Sequence, residues 1–97
     1  MTIDAIQAAV LDVVKEYPAI TKVTLFGSRA SGNNREDSDI DLLIEFITDS
    51  ISLITLSSIR YALEDRLSLP VDVIHGPLRS DDMLEVEKEV VLYAAAA

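Results

Sequence analysis

Between Asp39 and Phe46 the chain alternates: Ile40, Leu42, Ile44 and Phe46 fall on one parity, and Asp39, Asp41, Leu43 and Glu45 on the other. Successive side chains of a strand leave opposite faces, so this period-two pattern predicts a β-strand with one apolar face. Two carboxylates two residues apart then share the other face. A second short strand is expected at Val71-Asp72-Val73-Ile74, where Asp72 again points away from the apolar parity. An apolar, β-rich stretch at Val23–Phe26 ends at Gly27 and reads as a buried strand.

The intervening segments carry helical spacing. Ile3, Ile6, Val10, Val13, Val14 and Tyr17 recur on one face after Thr2, an N-cap residue, and Pro18 closes the run. Leu53, Leu56, Ile59, Leu63 and Leu67 form a second amphipathic helix after Ser50 or Ser52. Ser80 is a cap for a last helix whose apolar face carries Met83, Val86, Val90 and Tyr93, with Asp81 and Asp82 in its first turn. Helix, strand, turn, strand, helix, strand, helix predicts a small α/β domain with helices packed on a sheet. A length of 97 residues suits one such domain, spanning 1–97.

Charge narrows the partners. Seventeen acids against eight Lys+Arg give a net charge of −9. Gripping nucleic acid requires phosphate-neutralising cations, so sequence-independent DNA or RNA binding is not expected. No apolar run approaches the roughly 20 residues that span a bilayer, and Met1-Thr2-Ile3-Asp4 lacks a basic region before an apolar stretch, so neither membrane insertion nor secretion is expected. The absence of cysteine removes disulfides, thiolate metal sites and thiol nucleophiles. These features point to the cytoplasm.

If the Asp72 strand lies beside the Asp39/Asp41 strand, all three acids can converge. Carboxylates within about 4–6 Å repel, and a divalent cation resolves the conflict; hard oxygen ligands favour Mg²⁺ or Mn²⁺. The alternative is that these acids merely sit at exposed strand ends. Phe26-Gly27-Ser28-Arg29-Ala30-Ser31-Gly32, immediately after the first strand, weighs against that. A strand ending in Gly-Ser presents amides and a hydroxyl where phosphate binds, and Gly27 lets the backbone approach closely.

Gly27-Ser28, then Ser38-Asp39-Ile40-Asp41-Leu42, then Asp72 in a later strand, resembles the nucleotidyltransferase superfamily typified by DNA polymerase beta. The similarity is to its smallest branch, the minimal nucleotidyltransferases of prokaryotic toxin–antitoxin pairs with HEPN-domain partners. That resemblance implies a palm-like mixed sheet, two Mg²⁺ ions (or Mn²⁺) on Asp39, Asp41 and Asp72, and ATP phosphates at Gly27, Ser28 and Arg29. Ser31 stands where members often carry a basic residue. The implied reaction transfers AMP to a hydroxyl, a tyrosine of the toxin, and so makes the protein an antitoxin by AMPylation. A non-catalytic antitoxin acting by occlusion, or an enzyme acting on a small molecule, stays open as an alternative. With no second domain expected to hold an acceptor, the acceptor comes from outside, and a homodimer or hetero-complex is compatible with the short sheet. His75 is read as structural or exposed, Arg60 and Arg66 as solvated and Tyr93 as core or interface, while Glu45 shares the face of Asp41 but lies too far from the Gly27-Ser28 cradle to be included.

Overall fold

The hydroxyl of Thr2 accepts a hydrogen bond from the Ala5 amide at 3.1 Å and starts helix α1, Ile3–Glu16. Its stripe of Ile6, Ala9, Val10, Val13 and Val14 is buried. In the computed structural model, which describes residues 2–27, 39–48, 50–76 and 89–95, the chain continues through β1 (Ile20–Phe26) and β2 (Ile40–Phe46). Helix α2 (Leu53–Leu67), β3 (Val71–His75) and β4 (Val90–Ala94) follow. Ser52 caps α2 by accepting from the Thr55 amide at 3.1 Å. Its last turn closes on Ser68, which adopts the left-handed region at φ 55° and donates its N–H to the Glu64 carbonyl at 2.8 Å.

The four strands form one sheet in the order β3-β2-β1-β4. Strand β1 is antiparallel to both its neighbours, whereas β2 and β3 are parallel and need a crossover, which α2 supplies. The sheet is therefore mixed, as expected. Both helices contribute to one buried cluster with Val23 and Leu25 of β1, Ile40, Leu42 and Ile44 of β2, Val71 of β3 and Leu92 of β4. Among the described residues, no helix is long and apolar enough to cross a membrane.

One expectation fails. Val90 and Tyr93 do not lie on a helix; Val90–Ala94 is the strand β4, paired to β1 through Leu25↔Val90 and Val23↔Tyr93. Val90-Val91-Leu92-Tyr93 is a run of β-formers, and a free edge of β1 gives it hydrogen-bond partners that a helix does not need. Ser80, Asp81, Asp82, Met83 and Val86 lie outside the described residues.

Candidate active site

Asp41 is the second residue of β2 and Asp72 the second residue of β3, and the parallel register sets them directly opposite each other. Their neighbours explain the placement. Ile40 (0% exposed) and Val71 (2%) are drawn into the core under the helices, so alternation turns the next residue of each strand to the opposite face. Adjacent strands run about 4.7–4.9 Å apart, so the two carboxylates meet at close range. The register is pinned at this end by the Ile40 amide, which donates to the Pro70 carbonyl at 3.0 Å, and at the other by the Gly76 amide, which donates to the Ile44 carbonyl at 2.9 Å.

This arrangement is electrostatically uncomfortable. Burial pushes the Asp41 carboxyl above its ordinary value of 3.8; repulsion from Asp72 and Asp39 and a hydrogen bond with Asp72 push it the same way. Asp39 stands exposed, one residue ahead of β2, close enough to be felt by Asp41. Among the described residues, no three acidic or histidine side chains close into a ready cation cage. The expected convergence thus takes the form of a tight Asp41–Asp72 pair with Asp39 at its rim. The donor set, carboxylates alone, fits a hard divalent cation, and the raised Asp41 is the group such a charge relieves.

Gly27 completes the corner. It follows β1, whose last residue Phe26 pairs with Asp41, and it adopts φ 77°, a conformation that L side chains rarely take. A Cβ built on Gly27 meets Asp41 Oδ2 at 2.5 Å. The position therefore needs glycine twice over, for its backbone and for the carboxylate beside it. Ser28 and Arg29, expected to hold phosphates, lie outside the described residues.

Of the residues set aside from the site, the His75 ring meets Phe46 edge-on at 5.3 Å. Arg66 donates to Glu16 at 3.1 Å and ties α2 to α1. The Arg60 guanidinium lies over Tyr61, 4.9 Å from its ring centre. Glu45 pairs loosely with Lys22 at 3.9 Å across β1 and β2. Tyr93 packs partly on the core, from β4. The residue that sequence reasoning passed over is Glu64, whose Oε2 accepts the Val71 amide at 3.1 Å. Nothing in the helical period signals it, because the bond joins a helix to a strand seven residues away.

The sequence profile of the family described as polymerase beta, nucleotidyltransferase, matches residues 9–93. The chain belongs to that family, and it is a nucleotidyltransferase. The protein adenylyltransferase MntA of Thermococcus cleftensis is 33% identical over 90 residues, covering 92% of this chain and 90% of that protein. A toxin–antitoxin crystal structure with AMP-PNP superposes with a TM-score of 0.76 at 20% identity, over 92% of this chain and 73% of that one. The MNT antitoxin structure, in complex with a tri-AMPylated Shewanella oneidensis HEPN toxin, superposes at 0.70 with 17% identity, over 95% of this chain and 72% of the other. At those identities the two superpositions establish the shared fold.

Proposed function

We propose that this protein is a cytoplasmic, Mg²⁺-dependent antitoxin that transfers AMP from ATP to a tyrosine hydroxyl of a HEPN-type toxin. The observation that carries the reading is the enforced Asp41–Asp72 pair with Gly27 packed against it. Support comes from family membership and from likeness to a protein adenylyltransferase and to antitoxins crystallised with their toxins.

Asp39, Asp41 and Asp72 are the residues to hold two Mg²⁺ ions, with Mn²⁺ as a substitute; when bound, these supply charge neutralisation for the attacking and departing oxygens. Gly27 and Ser28 hold the β- and γ-phosphates, Gly27 giving an approach free of side chain, and Arg29 adds to the phosphate contact. The acceptor hydroxyl forms a bond to the α-phosphorus as the bond to pyrophosphate breaks, and Asp72 accepts the hydroxyl proton. A net charge of −9 favours a basic protein as acceptor over a nucleic acid. Residues 1–97 make up one such domain.

The test is transfer of label from α-labelled ATP to a HEPN-domain toxin, with Mg²⁺ and with EDTA. Metal-dependent label on the toxin, absent with Asp39→Asn, is the expected result. A tight complex that forms without label replaces this reading with an antitoxin acting by occlusion.

A further inference from the structure

We propose that Glu64 is a positioning residue for the carboxylate pair, acting through the Val71 amide to hold Asp72 in front of Asp41. The inference rests on the transfer reaction proposed above. Among the described residues, strand β3 lies at the edge of the sheet, held by β2 on one side alone. Because the Ile40 amide bonds to Pro70 on that side, the parallel ladder turns the Val71 N–H outward, where no strand of the described residues lies to receive it. Val71 is buried (2% exposed), so this amide needs a protein partner. Glu64 Oε2 provides it at 3.1 Å.

Glu64 holds the turn at two points. Its carbonyl takes the Ser68 amide at 2.8 Å and its carboxylate takes the Val71 amide, so one residue fixes the path from the end of α2 to the start of β3. The next residue is Asp72, which is repelled by Asp41 and relieves that repulsion if the start of an edge strand swings away. The opposite edge has a similar tie that touches no carboxylate: Gln7 Nε2 donates to the Leu92 carbonyl of β4 at 3.1 Å.

The variants are Glu64→Leu, which removes the acceptor, Glu64→Gln, which keeps one, and Gln7→Leu, which removes the tie at the other edge. Each full-length protein is read by Mn²⁺ binding in electron paramagnetic resonance, by Val71 amide exchange in NMR, and by steady-state transfer to the toxin. Losing an outer group that orients a metal ligand costs about 10–100-fold. Glu64→Leu is expected to speed Val71 exchange, to weaken Mn²⁺ binding about tenfold, and to lower kcat on that same 10–100-fold scale with KM for ATP within about twofold. Glu64→Gln restores all three readouts, and Gln7→Leu leaves Mn²⁺ binding intact. Unchanged Mn²⁺ binding in a folded Glu64→Leu overturns the proposal, as does a Glu64→Gln that fails equally or a Gln7→Leu that weakens the metal as much. Wild-type protein that binds no Mn²⁺ and transfers no AMP overturns the functional reading itself, and this role with it.

Discussion

The two outer strand pairs of the sheet are built on opposite principles. Where β4 meets β1, the antiparallel register sets Leu25 beside Val90 and Thr24 beside Val91, and no acid faces another. Where β3 meets β2, Ile40–Val71 and Leu42–Val73 match apolar residues on the helix side, while Asp41 and Asp72 are matched on the other. One pair only adds cohesion. The other uses its buried apolar face to hold two like charges together, and its strain is the feature that a bound cation would relieve.

Substitutions can separate these roles. The largest effect is expected from Asp41→Asn, which should reduce label transfer by more than about a hundredfold, beyond the range seen for outer-shell losses. The same variant should melt higher than wild type without metal, on a scale of about 4–8 °C per kcal/mol for a chain of this size. Because the folded-state value of Asp41 is raised above 3.8, the native protein binds that proton more tightly than the unfolded chain. The resulting stability is complete below the ordinary value and is lost as pH rises through the raised one. Melting curves of wild type and Asp41→Asn should therefore converge in acid and separate as pH rises; curves that stay parallel would show that neither burial nor the neighbouring carboxylates raise Asp41.

Leu92→Ala attacks the other pair. Leu92 is 3% exposed, and truncation of such a core residue costs about 2–5 kcal/mol. Denaturant titration should register that loss, while the specific activity of the remaining folded protein holds. A parallel fall in activity would join the two strand pairs into one functional unit. Gly27→Ala falls between: a left-handed backbone costs an L-residue about 1–2 kcal/mol, and the new Cβ displaces Asp41 Oδ2, so transfer should drop by about tenfold along with stability. The smallest change is Ser68→Gly, which eases a left-handed helix cap and should add less than about 1 kcal/mol in the same titration, without touching catalysis.

Much of this site could be read from residue parity. Asp41 and Asp72 interrupt apolar strands, and alternation places both opposite the core without knowledge of the fold, with Asp39 sharing the parity of Asp41 just ahead of its strand. Their pairing could not be read the same way: setting Asp41 against Asp72, and not a position away, depends on where α2 ends and on the Ile40–Pro70 bond. Val86, Val90 and Tyr93 are spaced four and three apart, a helical interval, and this concealed a strand whose formation depends on the free edge of β1. Glu64 was hidden for a similar reason, since only the folded turn brings its carboxylate to Val71.

The parallel register of β2 and β3 makes the site all-or-none. Strand spacing is the ruler between the two carboxylates, and no loop length can stretch it gradually. A slip of β3 by one residue would put Val71 or Val73 opposite Asp41 and turn Asp72 toward the helices, which is a different protein and not a weaker one. Surface loops can therefore be remodelled for a new acceptor without detuning the chemistry, as long as the two strands stay in step.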